Sequence, residues 1–467
     1  MRSADIRREL PPLLRLAAPL VLGELGWTAM SLVDTVMVGR LPNPASAMAA
    51  AALAAVLFNT VAIGVGGILL GLDALIAQAF GAEDVPAANR WLWHGLVTAV
   101  GLAVLLTGIF LAAPLALRHM PVDPTVLAGA IPALRGLIPG VLPLLVYFAL
   151  RRYLQAAHQA RPIAIALITA NAVNIAIDWL LLYGHSWQIG THLLRIPSFG
   201  VVGSSWATSS ARLYLVLFLA VALWRANRKH RYGLGEVSLQ AEFDQLAQIF
   251  RMGVPIGAQI FVEIAIFALV TSLIASFGPL PLAGHEIALQ CASTSFMVPL
   301  AISSATSVRV GHALGRVRIG AGTVLEAAAA GWAGIIAGAG LMLISAVCFL
   351  SMPRAIAHLF TPDAAVVAAA APLLSIAACF QFFDGIQITA TGAMRGAGHT
   401  TTPLWTQIVA YWLVGMPLGY MLGFHAHLGP RGLWMGLAIS LSVAAVGLLW
   451  AWHRLTGRLG EEVGLRG

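Results

Sequence analysis

The sequence predicts an all-α polytopic membrane protein with twelve transmembrane helices. Its 467 residues are 59% hydrophobic and only 10% charged, and the mean hydropathy is +0.85. Ordinary soluble domains carry roughly 25% charged residues, so this composition excludes a soluble, disordered, collagen-like or coiled-coil protein. The formal charge of +8 does not indicate nucleic-acid binding, because the basic residues lie mostly between apolar segments rather than in one stripe.

Twelve apolar segments are each long enough to cross a bilayer, which takes about 20 residues. Polar residues, glycines and prolines separate them and give approximate boundaries. The predicted spans are residues 10–38, 47–79, 92–117, 126–150, 162–184, 201–225, 248–277, 284–311, 327–351, 365–393, 403–424 and 432–453.

The distribution of basic residues predicts the orientation of these spans. With the N-terminus inside, 20 of the 27 Lys and Arg residues fall on the cytoplasmic side and six on the outer side, while Arg212 lies within a span. The positive-inside rule therefore places both termini in the cytoplasm. The first apolar segment exceeds the ~7–15 residues of a signal-peptide core, so we expect a multi-pass protein of the inner (plasma) membrane that keeps its first helix.

A weak internal repeat divides the spans into two six-helix lobes. Arg15-x-x-x-Pro19 in the first span matches Arg251-x-x-x-Pro255 in the seventh. An even number of spans per lobe gives both lobes the same orientation, so a pseudo-twofold axis along the membrane normal is expected, as in many transporters. The predicted division is an N-lobe at 1–225, a cytoplasmic linker at 226–247 and a C-lobe at 248–467 that ends in a short cytoplasmic tail.

Prolines within spans predict places where the helices bend. Each removes one backbone hydrogen bond of its helix. Pro19 and Pro255 occupy equivalent positions of the repeat, and bending of spans one and seven could open and close a cleft between the lobes. Irregular packing is an equally good interpretation of any single proline.

Four acidic residues within spans are the main candidates for a functional site. A carboxylate in a span costs at least ~2.5–3.5 kcal/mol on insertion scales, so each of these residues requires a functional or structural explanation. At a rise of ~1.5 Å per residue, two of them share one depth in the outer leaflet and two share another near the midplane. The first pair is Asp34 and Asp178, and the second is Glu263 and Asp384.

Polar residues accompany both pairs at helical spacing. Asn171 and Asn174 share a face with Asp178, and Gln381, Gln387 and Thr391 share a face with Asp384. An acid flanked by amides can coordinate Na⁺, hold a proton or pair with an organic cation. The alternative is a structural hydrogen bond between two helices.

Weaker candidates surround these acids. Glu24 lies ten residues before Asp34 and could face the same cleft. We expect capping or interfacial roles for Asp73 and Glu286, which lie near helix ends. Aromatic rings could hold a cation, although most aromatics in membrane proteins serve packing. The candidate rings are Phe261, Phe267 and Phe383.

The chain resembles the multidrug and toxic compound extrusion (MATE) family over nearly its whole length. Several stretches together carry the resemblance, and no single one of them is specific. They are Val33-Asp34-Thr35-Val36-Met37-Val38-Gly39-Arg40, Ala77-Gln78-Ala79-Phe80-Gly81, Asn174-Ile175-x-x-Asp178, Gly284-His285-Glu286, Arg309-Val310-Gly311-His312 and Gly392-Ala393-Met394-Arg395-Gly396.

The resemblance implies a two-lobed antiporter that exports organic cations in exchange for Na⁺ or H⁺. By analogy with the family, Asp34, Asn174 and Asp178 match an N-lobe cation site. Glu263 and Asp384 match acids of the C-lobe in the NorM-like and eukaryotic branches, and the Phe-Val-Glu263 stretch and Asp384 together favour the NorM-like branch. Because this chain has both sets, the resemblance leaves open which lobe binds the coupling ion. Glu286 stands where the family is expected to have Gln.

Two other functions are considered. A lipid-linked precursor flippase of the same superfamily would need a cleft rich in Arg and Lys, whereas the only mid-span cations expected are Arg135 and Arg212. A membrane enzyme lacks support, because the sequence contains no H-E-x-x-H or Gly-x-Ser-x-Gly motif. We therefore expect no enzymatic activity and no cofactor beyond the coupling ion. We also expect a monomer whose partners are organic cations, Na⁺ or H⁺ and membrane lipid.

Overall fold

The computed structural model describes residues 3–117, 119, 123–189, 192–236, 238 and 240–464, with side chains left out at 3, 187–195 and 459–464. Within this part of the chain, twelve helices are long and apolar enough to cross a membrane, so the predicted fold class is confirmed. The α-helices are α1 Ser3–Val38, α2 Pro44–Gly66, α3 Leu72–Gly81, α4 Val85–Leu117, α5 Pro124–Leu137, α6 Val141–Ala156, α7 Ala160–Tyr183, α8 Val201–His230, α9 Phe243–Ala275, α10 Pro279–Arg318, α11 Val324–Ser351, α12 Pro353–His358, α13 Ala364–Gly396, α14 Thr401–Gln407, α15 Met416–Tyr420 and α16 Pro430–Gly464.

Three of the twelve spans are interrupted helices. A 3₁₀ turn at Gly67–Gly71 joins α2 to α3, and another at Ile138–Gly140 joins α5 to α6. The eleventh span contains two π-helical stretches, Ile408–Gly415 and Met421–His425, on either side of α15. Glycine and proline at these points weaken the regular hydrogen-bond ladder. Pro19 and Pro255, in contrast, lie inside the uninterrupted helices α1 and α9.

One element was not predicted. Between α7 and α8, β1 His185–Ile189 and β2 His192–Ile196 form an antiparallel hairpin. The sequence of this connection contains hydrophobic and β-branched residues but was too short and too polar to be assigned to a span. The hairpin adds a small β element to an otherwise helical protein.

The predicted span boundaries were wrong at two functionally relevant places. The fourth span continues to Ala156 rather than ending at residue 150, and Arg151 and Arg152 are therefore buried within α6. Arg395 was placed in a cytoplasmic loop but is buried near the end of α13. The sequence placed all three arginines in cytoplasmic loops, because a charged residue normally ends a span. That expectation fails where the guanidinium group has a partner inside the protein.

Contacts divide the chain into two compact units. One unit contains Met1–Val21, Asp73–Asp84 and Met252–Gly467, and the other contains Leu22–Leu72 and Val85–Arg251. We call them the C-unit and the N-unit. The principal change of unit falls at Arg251, close to the predicted end of the linker, but two short segments of the first half pack with the second half. The division at 225 and 248 and the pseudo-twofold axis stay predictions.

Small residues allow the helices of the C-unit to approach closely. Gly415, Gly419 and Gly423 face Gly432 and Gly436, and a Cβ added at Gly419 would lie 3.3 Å from the Cα of Gly436. Such small-residue seams promote packing of membrane helices by van der Waals contact. Large apolar side chains point outward instead, as at Leu413, which is 67% exposed. This distribution is typical of a surface that faces lipid.

Candidate functional site

Three helices of the N-unit bring the predicted acids together. Asp34 lies on α1, Asn174 and Asp178 lie one turn apart on α7, and Thr208 lies on α8. The Thr208 hydroxyl donates a hydrogen bond of 3.3 Å to Oδ2 of Asp34. Asp34 is also close enough to interact with Asp178 and Asn174. The three residues that matched the family pattern therefore form one cluster, which we call the N-site.

Several polar atoms of the N-site have no hydrogen-bond partner among the described residues. Asn174 and Asp178 are fully buried. Both carboxylate oxygens of Asp178, Oδ1 of Asp34 and both amide atoms of Asn174 make no hydrogen bond with described residues. Buried polar atoms are almost always satisfied, and leaving one unsatisfied costs about 1–3 kcal/mol. Such a set of free oxygens indicates a site for a proton or a small hard cation.

The oxygen donors fit Na⁺ better than a transition metal. Carboxylate and amide oxygens are ligands for hard cations, whereas transition-metal sites use His and Cys. Among the described residues, no group of three or more His, Cys, Asp or Glu could hold a metal. With two acids and one amide, Asp34, Asp178 and Asn174 would hold Na⁺ through their oxygens and supply the negative charge that it requires.

A cavity of about 380 Å³ in the N-unit reaches Asp34. Its walls come from α1, α2 and α8 together with Leu137 of α5, and the wall formed by α2 consists mostly of small alanines. Ser204 and Thr208 place hydroxyls in the same wall as Asp34. The cavity is therefore polar at the acid and apolar elsewhere, which is a suitable environment for a hydrated ion or a small organic cation.

A second polar cluster lies in the C-unit, and we call it the C-site. It consists of Glu263 on α9, Asp384 and Gln387 on α13, Gln407 at the end of α14, and Tyr411. The Nε2 of Gln387 donates to the Tyr411 hydroxyl at 3.1 Å, and the Nε2 of Gln407 donates to Oε1 of Gln387 at 3.3 Å. Asp384 and Glu263 interact electrostatically. Two like charges this deep in a membrane protein require a cation or a proton.

The remaining C-site candidates lie along α13. The Nε2 of Gln381 donates to the Ser295 hydroxyl of α10 at 2.6 Å, and its Oε1 atom is buried without a partner. The Oγ1 atom of Thr391 is likewise buried and unpaired within the described part of the chain. The predicted face of α13 is therefore almost entirely buried, with acceptor atoms left free on it.

The candidate aromatic rings do not form one group. Phe261 is 55% exposed, so its ring faces outward for the most part. Phe267 and Phe383 pack against two apolar clusters of the C-unit. Phe267 and Phe383 therefore occupy the positions of packing residues, and no Lys or Arg of the described residues lies over any of the three rings. A role for them in binding stays a prediction.

Two weaker candidates have structural partners. Glu24 forms a buried ion pair with Arg151 of α6, and the Asn171 amide donates to the Gly26 carbonyl at 2.9 Å, which ties α7 to α1.

Glu286 is exposed on α10. Asp73 was expected to be a capping or interfacial residue, but it is 2% exposed and its Oδ2 lies 3.6 Å from Nε of Arg395.

Sequence reasoning missed four residues that complete the sites: Thr208, Arg212, Gln407 and Tyr411. The hydroxyl and amide residues carry too little signal in a sequence, because spans contain many of them. Arg212 was noticed as a cation within a span, but its position beside Asp34 follows only from the packing of α8 on α1. His285 lies near the start of a predicted span, and this place in the sequence predicts an interfacial side chain. In the structure it is fully buried, accepts a hydrogen bond from Nε1 of Trp434 and is hydrogen-bonded to the Thr271 hydroxyl.

Comparisons with known proteins agree with this architecture. The multidrug resistance protein PmpM of Pseudomonas aeruginosa is 35% identical over 454 residues, which cover 95% of this chain and 91% of that protein. The probable multidrug resistance protein NorM of Deinococcus radiodurans is 36% identical over 456 residues, covering 94% of both chains.

Solved structures share the fold at lower identity. The eukaryotic MATE transporter AtDTX14 superposes with a TM-score of 0.84 at 20% identity, covering 98% of this chain and all of that one. A MOP superfamily transporter from Pyrococcus furiosus, whose structure is described by the reverse polarity of its binding pocket, gives 0.84 at 21% identity, covering 98% and 99%. The sequence profile of the MatE family matches residues 19–180 and 255–421, once in each half, and the chain therefore belongs to the MatE family.

Proposed function

We propose that this protein exports organic cations, including drugs, from the cell in exchange for Na⁺ or H⁺ that moves inward. The observation that carries the proposal is Asp178, which is fully buried while neither of its carboxylate oxygens has a hydrogen-bond partner in the described part of the chain. A carboxylate in this position needs a proton or a cation. The names of the relatives as multidrug resistance proteins support the same function.

The proposed mechanism is competition for buried negative charge. Neither pair of acids can bind a coupling ion and a cationic drug tightly at the same time. The pairs are Asp34 with Asp178 in the N-site and Glu263 with Asp384 in the C-site. Inward movement of the ion then favours the state that releases drug to the outside, since each state binds the two cations differently. Pro19 and Pro255 would permit the accompanying bends of α1 and α9.

A lipid-linked precursor flippase is the second candidate, and the buried arginines are the feature that could favour it. Arg151 pairs with Glu24, and Arg395 lies beside Asp73, while the charge of Arg212 acts on Asp34. Each of these three guanidinium groups has an acid beside it, and the fourth buried arginine, Arg152, donates to Oε1 of Gln155 at 3.2 Å. They therefore do not form the free cationic surface that a pyrophosphate requires. This pattern supports cation export over the flippase.

The orientation and partners complete the proposal. We propose a monomer of the inner membrane with both termini in the cytoplasm, as the excess of basic residues on that side indicates. Basic residues near the membrane surface would contact anionic lipid headgroups. No cofactor is needed, because the coupling ion supplies the energy.

The experiment that tests the proposed function uses purified protein in liposomes preloaded with a fluorescent monovalent organic cation. Dye flux is followed after imposing a Na⁺ gradient at fixed pH, and then a pH gradient without Na⁺. Flux driven by either ion supports cation antiport and identifies the coupling ion. Absence of flux with both gradients, for several dyes of different shape, would contradict the proposal and favour the flippase.

A further inference from the structure

Arg212 occupies the face of α8 that is turned towards the N-site. Ser204, Thr208 and Arg212 follow one another at intervals of four residues and so lie in one row along this helix. Thr208 donates to the Asp34 carboxylate, and Ser204 is close enough to interact with Asp178. Arg212 is therefore one turn, about 6 Å along the axis, beyond the residue that bonds to Asp34.

The guanidinium of Arg212 is buried without an ion pair at bonding distance. The residue is 5% exposed, its Nη1 atom has no hydrogen-bond partner among the described residues, and Cζ lies 4.3 Å from the centre of the Phe58 ring. An aromatic face attracts a desolvated cation, but this attraction is smaller than the cost of burying a charge that has no ion pair. Burial of a charge with so little compensation is costly, so the position requires a functional explanation.

The acid beside it supplies that explanation. Arg212 lies one helical turn from Thr208, which bonds to Asp34, and is close enough for its charge to interact with that acid. With two carboxylates and one guanidinium, the N-site has a net charge of −1 when both acids are ionised. A single monovalent cation then makes it neutral.

The C-site differs in this respect. Glu263 and Asp384 interact with one another and with neutral side chains, and no Lys or Arg of the described residues forms an ion pair with either. Its net charge with both acids ionised is −2. The two sites therefore attract cations to different extents, although each contains two carboxylates.

We propose that Arg212 is a tethered cation of the N-site, which limits this site to one coupling ion and pairs with Asp34 when that ion leaves. This inference rests on the proposed antiport function and adds to it a residue that tunes ion binding. Arg212 is a positioning residue in this scheme, because it acts through Asp34 and touches neither ion nor drug. In this scheme the long side chain of Arg212 carries the guanidinium from the face of Phe58 towards the Asp34 carboxylate when the ion leaves.

Transport measurements with matched variants test the proposal. In liposomes, the ion gradient that balances an opposing dye gradient gives the number of ions exchanged per dye, and a titration gives the half-saturating ion concentration. In Arg212→Gln we expect the half-saturating concentration to fall about tenfold or more and one further cation to be exchanged per dye. Arg212→Lys keeps the charge and should have the half-saturating ion concentration and the ion stoichiometry of the wild type. Arg135→Gln removes an exposed arginine of α5 and is the control.

The result that overturns the proposal is an active Arg212→Gln protein whose ion stoichiometry and half-saturating concentration equal those of the wild type. Failure of the wild-type protein to show any ion-driven flux would instead contradict the proposed function itself, so the two failures are distinguishable.

A stability measurement does not depend on transport and serves if Arg212→Gln is inactive. Thermal unfolding in detergent is compared for the wild type, Asp34→Asn, Arg212→Gln and the double variant. If the two charges act on each other, the effects on Tm are strongly non-additive, and Arg212→Gln is less harmful in the Asp34→Asn protein. Additive effects would overturn the proposed link between Arg212 and Asp34.

Discussion

Arg151 of α6 and Glu24 of α1 form an ion pair that is buried within the N-unit. Their side chains are only 6% and 12% exposed, and the Tyr147 hydroxyl accepts a further hydrogen bond of 3.4 Å from Arg151. Trp27, one turn from Glu24, stacks on Tyr147 with ring centres 6.1 Å apart. The cluster joins α1 to α6 and gives Glu24 a structural role that is separate from the N-site.

The first prediction concerns the stability of this ion pair. Glu24→Gln leaves the Arg151 guanidinium buried without a counter-charge, so the free energy of unfolding should fall by about 3–5 kcal/mol. Thermal unfolding in detergent measures the loss. Glu326→Gln breaks the exposed pair between Arg316 and Glu326 and should cost only about 0–1 kcal/mol. Equal effects of the two substitutions would show that the buried pair contributes no more to the free energy of unfolding than the exposed pair.

The second prediction concerns the C-site acid Asp384. Asp384→Asn keeps the size of the side chain and removes the charge that an organic cation needs. We expect dye efflux to be abolished, while the amount of folded protein in the membrane is unchanged. Glu286→Gln, which neutralises an exposed acid on α10, should transport at the wild-type rate. Wild-type efflux by Asp384→Asn would remove the C-site from the mechanism.

The third prediction concerns the coupling ion. Asp34→Asn retains a side chain that can accept a hydrogen bond from Thr208 but removes one of the two charges of the N-site. The dependence of dye efflux on the coupling-ion gradient should weaken, because the site no longer attracts a cation strongly. Efflux rates are measured across a range of ion gradients, with Asp244→Asn at an exposed position as the control. An unchanged ion dependence would indicate that Asp34 has an interfacial role only.

The fourth prediction concerns close packing between α3 and α10. A Cβ at Gly315 would lie 2.7 Å from the backbone nitrogen of Ala82 and 2.7 Å from the Cα of Gly81. Gly315→Ala should therefore lower stability by about 1–3 kcal/mol through overpacking. At Gly340 of α11 nothing lies within 4 Å of the added Cβ, and Gly340→Ala should be neutral or raise stability by up to about 1 kcal/mol. Thermal unfolding of both variants in the same detergent provides the comparison.

The sequence predicted the fold class well because the relevant signal is local. Twelve apolar segments of sufficient length define twelve spans, and the acids in them stand out by their cost. The same reasoning selected Asp34, Asn174 and Asp178, which the structure brings into one cluster. Helical spacing placed Asn174 and Asp178 on one face of α7, and this relation requires no tertiary information.

The errors concern pairs that are distant in sequence. Arg395 and Asp73 each resembled a residue at a helix end, and only the packing of α3 beside α13 makes them buried neighbours. Arg151 was assigned to a loop because a charged residue normally ends a span, but Glu24 compensates its charge within the protein. Asn171 lies on the predicted face of α7, yet its amide donates a hydrogen bond to the Gly26 carbonyl of α1.

Competition between the coupling ion and an organic cation is the central claim, and equilibrium binding tests it most directly. Binding of a fluorescent organic cation to the purified protein is titrated at increasing concentrations of the ion that drives flux. The account predicts that the apparent Kd of the dye rises steadily with ion concentration and that Asp384→Asn, which lacks the charge, no longer binds the dye. A dye affinity that is the same at all ion concentrations, with drug and ion bound together, would contradict the account.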